Sequence, residues 1–160
     1  MTTSPNTPDS APRVDVRGPR FVAWVTTGVL VLVLVSAAFS VLAAEILIGL
    51  QAVVFAIGAL GGPAKHPYGR IYAAFVAPRL GPPTETEPVP PLRFAQLLGF
   101  VFAALSLLGF ALGSSIVGAV FAGFALFAAF LNAAFGICLG CQIYPLVARF
   151  RRTEPAPAPN

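Results

Sequence analysis

Apolar residues are concentrated in four long segments, separated by short breaks or by a Pro-rich stretch. A helix of about 20 apolar residues crosses the hydrocarbon core of a bilayer, and each segment has roughly that length. One helix through the first two segments would overshoot the bilayer about twofold, so a turn is expected near residues 43–47. The pattern predicts an all-α membrane protein with four transmembrane helices in two hairpins, spanning about residues 21–43, 46–62, 94–112 and 116–137.

Both ends of the chain are polar and rich in proline. We expect residues 1–19 to form a disordered N-terminal tail and residues 151–160 a disordered C-terminal tail, because neither contains enough apolar surface to fold. The membrane domain would then comprise residues 20–150.

The loop at residues 63–93 joins the two predicted hairpins. Its first half predicts a short interfacial helix with Tyr68 and Tyr72 at headgroup level. Repeated prolines at residues 81–91 predict an exposed linker that cannot be helical and is dispensable for folding.

Composition supports the membrane class and excludes several others. The chain is 57% hydrophobic and only 10% charged, whereas soluble domains are about 25% charged. The net charge of +4 is not arranged as a basic stripe with interleaved aromatic residues, so we predict no nucleic-acid partner. One histidine and no Gly-rich phosphate loop exclude most catalytic templates, and we predict no cofactor.

The basic residues predict the topology. None lies in either expected hairpin turn, and four spans place the segments that contain them on one side of the membrane. Because positive residues favour the cytoplasmic side, we expect both termini and the middle loop to be cytoplasmic. The Lys and Arg positions are 13, 17, 20, 65, 70, 79, 93, 149, 151 and 152.

The two halves of the sequence resemble each other at a shift of about 72 residues. Ile71-Tyr72 then aligns with Ile143-Tyr144. This suggests a parallel 2+2 repeat, in which two hairpins are related by an axis along the membrane normal. The same shift aligns His66 with Cys138, and predicts that the two lie at equivalent depth.

Cys138 and Cys141 are the only cysteines, and they form a C-x-x-C at the end of the fourth segment. On a helix this spacing places both sulfurs on one face, close enough for a disulfide after local adjustment. A permanent structural disulfide is disfavoured in a reducing cytosol. The pair is therefore open to four interpretations: dithiol redox chemistry, sulfur carriage as a persulfide, metal binding, or packing.

The reactivity of the pair depends on the local backbone. A thiolate is favoured at a helix N-terminus but opposed at the C-terminus of a membrane helix. Gly136 and Gly140 allow that helix to break and a new one to start, and a nearby His66 would deprotonate or pair with Cys138. Cys138, Cys141 and His66 are thus the candidate catalytic residues. Together they provide three ligands where structural zinc needs four, so we predict no metal site.

Several short segments resemble a known family. The resemblance is carried by G-P-R-F, Q-A-V-V-F, H-P-Y, A-P-R-L-G-P-P, R-F-A-Q and F-L-N-A-A-F-G-I-C-L-G-C-Q-I-Y-P, at residues 18–21, 51–55, 66–68, 77–83, 93–96 and 130–145. Together they are similar to the bacterial integral-membrane family catalogued as domain of unknown function 4395. The resemblance implies a multi-pass protein of the bacterial inner (plasma) membrane. It also implies a thioredoxin-like or sulfurtransferase-like partner, because such proteins are often encoded beside family members.

Three functional hypotheses follow. The first is a thiol-disulfide or sulfur-relay component that works with such a partner through Cys138 and Cys141. The second is a small transporter or channel for a sulfur compound, which would require a homo-oligomer to enclose a path. The third is a structural or accessory subunit that contacts other membrane helices through G-x-x-x-G faces at residues 58–62, 109–113 and 136–140.

Overall fold

The computed structural model describes residues 11–151, without the side chain of Arg151. Residues 1–10 and 152–160 of the predicted tails lie outside this part of the chain. Its main elements are strands β1 (Arg13–Asp15) and β2 (Thr86–Pro88), and helices α1 (Arg17–Phe39), α2 (Val41–Gly61), α3 (Pro67–Ile71), α4 (Val89–Ala111), α5 (Ser115–Phe135) and α6 (Leu139–Arg151).

Within residues 11–151, four helices are long and apolar enough to cross a membrane. They are α1 and α4, with 23 residues each, and α2 and α5, with 21 each. At 1.5 Å per residue they are roughly 31–35 Å long, which matches the hydrocarbon core of a bilayer. Their outer faces expose large apolar side chains, such as those of Leu42, Leu50 and Phe127. The prediction of an all-α, multi-pass membrane protein is confirmed.

The long helices form an up-down-up-down bundle. Helix α1 packs beside α2 and α5, and α4 packs beside the same two helices, so that α1 lies opposite α4. Large buried side chains fill the centre, including Leu30, Ile48 and Phe110. Helices α4 and α5 are in close backbone contact, since a Cβ added to Gly109 would lie 2.6 Å from the backbone nitrogen of Gly118.

The turn between α1 and α2 lies before the predicted interval of residues 43–47. Ser40 alone breaks the helix, with an extended backbone (φ −154°, ψ 108°), and its hydroxyl accepts a hydrogen bond from the Ala43 N–H. Glu45 lies within α2 instead of marking the turn. Hydropathy did not locate this break because apolar residues continue through it on both sides. The second turn, at residues 112–114, is close to the predicted position and contains Gly113 at φ 83°.

Part of the predicted N-terminal tail is ordered. Strand β1 pairs antiparallel with β2, with Val14 opposite Glu87. The Arg13 guanidinium donates hydrogen bonds to the hydroxyl and the carbonyl oxygen of Thr86, at 3.0 and 2.7 Å. Each segment supplies the backbone partners that the other lacks. The prediction of disorder is therefore wrong for residues 13–19. The prediction that residues 81–91 cannot be helical is wrong for residues 89–91, which form the first turn of α4, where proline is tolerated.

A second set of contacts ties this N-terminal segment to the middle loop. Arg17 forms an ion pair with Asp15 at 2.8 Å and donates to the carbonyl oxygens of Leu80 and Gly81. The Tyr72 hydroxyl donates to the Asp15 carboxylate at 3.2 Å, and Tyr72 is only 6% exposed. The Tyr72 hydroxyl thus has its partner inside the protein, and the headgroup-level position of Tyr72 stays a prediction.

Equivalent contacts recur in the two halves and support the predicted 2+2 repeat. Helix α3 follows α2 and packs on α1, as α6 follows α5 and packs on α4. The ring of Phe21 lies 5.7 Å from that of Tyr72, and the ring of Phe94 lies 5.9 Å from that of Tyr144.

Candidate functional site

The fourth membrane helix ends at Phe135, three residues before Cys138. Gly136 adopts a left-handed conformation (φ 69°), and its N–H bonds to the Asn132 carbonyl oxygen at 3.1 Å. The Ile137 N–H reaches back six residues to the Leu131 carbonyl oxygen at 3.2 Å, so the last turn of α5 keeps partners for its carbonyl groups. Glycine is favoured at this position because a side chain is strained there. The chain then leaves the axis of α5 and starts a new helix, α6.

The cysteine pair therefore lies at a helix N-terminus. Cys138 is the residue immediately before α6, and its carbonyl oxygen accepts the Gln142 N–H at 3.1 Å. Its Sγ accepts the Cys141 N–H at 3.3 Å, as the oxygen of a capping side chain would. The two residues are joined by a disulfide with a Cα–Cα separation of 5.2 Å. In the reduced protein, the helix dipole and this N–H would stabilise a thiolate on Cys138.

Gly140, between the cysteines, brings the pair against α4. A Cβ added to Gly140 would lie 2.6 Å from the Cα of Ala95, so that α4 and α6 are in backbone contact at this point. One turn further along α6, Tyr144 packs on Phe94. The position of the disulfide relative to the bundle thus depends on a residue that has no side chain.

Cys138 lines a small cavity of about 90 Å³ inside this end of the bundle. Most of its wall is apolar, with polar contributions from Thr26, Gln96 and Asn132. The Thr26 hydroxyl and the Gln96 Oε1 are buried and have no hydrogen-bond partner within the described residues. The sequence analysis did not single out Thr26. Its one sequence signal is a hydroxyl side chain within the first apolar segment, where a buried polar group needs a partner.

His66 is buried at the same end of the bundle. It is 1% exposed and immediately precedes α3, and neither ring nitrogen has a hydrogen-bond partner in residues 11–151. Burial lowers the pKa of His66, because a buried imidazolium loses its hydration, and the adjacent Gln96 side chain offsets part of this effect. The Gln96 side chain lies beside the ring but forms no hydrogen bond to it within the described residues. Because its pKa is lowered, the imidazole is neutral at pH 7, and its one donor and one acceptor are both unused.

His66 lines a second cavity, of about 250 Å³, which adjoins the first. The two cavities share four lining residues, which are Pro19, Val22, Leu92 and Gln96. The structure brings His66 and Cys138 to neighbouring cavities but not into contact, so the predicted His–Cys dyad is not formed. The larger cavity also borders Asp15, Arg70 and Tyr72, which the sequence analysis did not assign to a site.

Among the described residues, no group of three or more His, Cys, Asp or Glu side chains is placed to hold a metal ion. The chemistry of this end of the bundle therefore centres on the cysteine pair and the unpaired polar groups beside it.

Comparison with known proteins places the chain in a family. The profile described as "Domain of unknown function (DUF4395)" matches residues 14–149. The match includes all four membrane-crossing helices, His66 and both cysteines. No match was found among curated proteins or solved structures. Since the profile covers most of its length, the chain belongs to the DUF4395 family.

Proposed function

We propose that this protein is a thiol-disulfide exchange component of the bacterial plasma membrane. Cys138 is the attacking thiolate and Cys141 the resolving thiol, and the partner is a soluble thioredoxin-like or sulfurtransferase-like protein. The observation that carries the proposal is the position of Cys138 at the start of α6, where its Sγ accepts the Cys141 N–H. This environment lowers the pKa of a thiol and activates it for exchange.

The exchange proceeds in two balanced steps. The Cys138 thiolate attacks one sulfur of the partner's disulfide, whose S–S bond breaks, and the leaving thiolate takes a proton from water. Cys141, after losing its proton to water, attacks Cys138 Sγ and displaces the partner's second thiolate. Two electrons and one proton have then passed to the partner, which leaves with one thiol and one thiolate, and the Cys138–Cys141 disulfide has formed. In the opposite direction, a reduced partner regenerates the dithiol.

The distribution of charge supports cytoplasmic exchange. The cysteine pair lies at the end of the bundle where α1 and α4 begin and where α2 and α5 end. The basic residues from Arg13 to Arg149 lie at this same end. Positive residues favour the cytoplasmic side, so we assign both termini and the pair to that side. Gln142 and Ile143, which follow the pair, are exposed where a soluble partner can dock.

A sulfur relay would use the same two residues, with sulfane sulfur held on Cys138 as a persulfide. By contrast, glycines of the G-x-x-x-G pattern serve contacts within the chain. Gly58 packs against His66 and Gln96, Gly109 against Gly118, and Gly140 against Ala95. One glycine of each pattern thus packs closely within the chain, whereas Gly113 is open. These contacts favour the exchange component over an accessory subunit that binds other helices through the glycine faces.

A redox titration of the purified protein in lipid nanodiscs tests the proposal, with the two thiol states separated by mass tags. We expect a reversible two-electron transition, and a Cys141→Ser variant that traps a mixed disulfide with a thioredoxin-like protein. The matched Cys138→Ser variant should trap none, because it lacks the attacking thiolate. If the thiols resist both oxidation and alkylation in the membrane, the pair has only a packing role and the proposal is wrong.

A further inference from the structure

We propose that the two adjoining cavities bind the headgroup of a lipid-soluble quinone, and that this quinone exchanges two electrons with Cys138 and Cys141. The inference rests on the proposed function, because the quinone would reoxidise the dithiol that a reduced soluble partner regenerates. It names the membrane-dissolved substrate of the same site.

The first support is a set of buried polar atoms without partners. Within the described part of the chain, the His66 ring nitrogens, the Gln96 Oε1 and the Thr26 hydroxyl form no hydrogen bond. They belong to three separate elements, yet all line the two cavities. Buried polar groups in folded proteins are nearly always paired, so groups that converge unpaired on a cavity indicate that a ligand completes them.

The second support is the chemical character of these groups. The neutral His66 offers one N–H donor and one acceptor nitrogen, and Gln96 offers a carbonyl oxygen. A quinone carbonyl accepts from such an N–H, and a quinol hydroxyl donates to such an oxygen. The site can therefore form hydrogen bonds with both the quinone and the quinol. The walls that the cavities share are otherwise apolar, being formed by Pro19, Val22 and Leu92, which suits an uncharged ring.

The charged residues at the larger cavity do not favour an ionic ligand. Asp15 is paired with Arg17 and accepts from Tyr72, so its carboxylate is already satisfied. Arg70 is exposed and lies where the cavity meets solvent. The interior itself presents uncharged polar groups, among them those of His66, Gln96, Thr26 and Asn132.

The size and position of the cavities fit a headgroup. The larger one, at about 250 Å³, is below the roughly 300–1,000 Å³ of sites for drug-sized ligands. It accommodates a substituted ring while the isoprenoid tail stays among the lipids. Both cavities lie at the ends of membrane-crossing helices, whose outer faces are apolar and accessible from the bilayer.

The third support is electron balance. The chain contains no thiols besides this pair, so electrons taken from a soluble partner need a second acceptor. When the dithiol reduces a quinone, two S–H bonds break and one S–S bond forms. The two electrons and two protons pass to the quinone carbonyl oxygens, forming two O–H bonds. Dithiol and quinone are both two-electron couples, so no other co-reactant is needed.

Photolabelling tests the site without its redox chemistry. A Cys138→Ala/Cys141→Ala protein in nanodiscs is illuminated with an azide-bearing decyl-benzoquinone, and the labelled peptides are mapped by mass spectrometry. We expect labels on residues that line the cavities, removed by excess unlabelled decyl-benzoquinone. Gln96→Leu should lower the labelling about fivefold, as expected for a lost buried hydrogen bond. Gln142→Leu, the same change at an exposed position on α6, should leave it unchanged.

The Gln96→Leu variant separates binding from structure, because removing an unpaired buried oxygen should not destabilise the fold. Uniform labelling of lipid-facing surfaces, or labelling that Gln96→Leu does not change, would overturn the inference.

A second measurement follows quinone absorbance after addition of decyl-benzoquinone to the reduced wild-type protein. One quinol should form for each disulfide. If the dithiol titrates normally but reduces no quinone, the quinone inference is wrong and the proposed function stands. If the dithiol does not titrate at all, the proposed function is wrong, and so is the redox role of the quinone. The photolabelling experiment tests the binding site in either case.

Discussion

His66 and Cys138 hold the same position in the two halves of the bundle. Each directly precedes a helix that follows a membrane-crossing hairpin, and the carbonyl oxygen of each accepts an N–H from four residues on: Arg70 at 2.9 Å for His66 and Gln142 at 3.1 Å for Cys138. One half presents an imidazole at this point and the other a thiol. Similarly placed helix starts in the two halves thus hold two different chemical groups at one end of the membrane domain.

The first prediction concerns the contact between α6 and α4. Gly140→Ala should destabilise the protein by about 1–3 kcal/mol, because the added methyl overlaps the backbone of Ala95. Thermal unfolding in detergent micelles, followed by circular dichroism, measures the change. Gly123→Ala is the matched control, since a Cβ there meets nothing within 4 Å. Equal stability of the two variants would show that α6 does not pack on α4 as described.

The second prediction concerns pH. Burial holds the pKa of His66 below its ordinary value of 6.5, so the unfolded chain takes up a proton at a higher pH than the folded protein does. Above pH 6.5 both states are neutral and His66 makes no contribution. As the pH falls below 6.5, the unfolded state binds the extra proton, and the free energy of unfolding decreases until the folded pKa is reached.

Comparison with His66→Asn isolates this effect, because the variant lacks the titrating group. The carboxyl groups are the same in both proteins, including Glu87, whose pKa is raised by burial, so their titration cancels in the comparison. Unfolding free energies are compared between pH 7 and pH 5. Parallel pH profiles for wild type and variant would contradict the buried, neutral state of His66.

The third prediction concerns the anchored N-terminal strand. Asp15→Asn removes the ion pair with Arg17 and weakens the bond from Tyr72, so β1 should detach more often. Amide exchange at Val16 and Val89, which bond across this segment, should become about fivefold faster for a loss near 1 kcal/mol. Thr84→Ala, at an exposed linker position, should leave exchange unchanged. Slow exchange in Asp15→Asn would mean that β-pairing alone holds the strand.

The fourth prediction concerns topology. In a protein whose two native cysteines are replaced by alanine, Thr84→Cys should react with a membrane-impermeant maleimide only from the cytoplasmic side. Glu45→Cys, near the opposite end of the bundle, should react only from the outside. Intact cells and inside-out vesicles supply the two orientations. Labelling of both positions from one side would contradict the four-span arrangement.

Much of the architecture follows from the sequence alone. A bilayer core offers backbone groups no water to bond, so long apolar segments must be helical, and their lengths predict four crossings. Gly113 and Gly136, both at positive φ, end their helices where the sequence indicated breaks. The spacing of Cys138 and Cys141 predicted that a disulfide was within reach. The 72-residue shift aligns Tyr72 with Tyr144, which make similar ring contacts.

Other features depend on contacts between residues distant in the sequence. Val14 lies in a strand because Glu87 and its neighbours supply backbone partners, and no local pattern shows this pairing. Hydropathy cannot distinguish a solvated loop histidine from the buried His66, whose burial comes from α2 and α4 packing around it. Gly140 allows α6 to approach Ala95, and both residues line the cavity beside Cys138. Segment hydrophobicity therefore determined the membrane helices, whereas close approach between helices decided which polar groups meet at their ends.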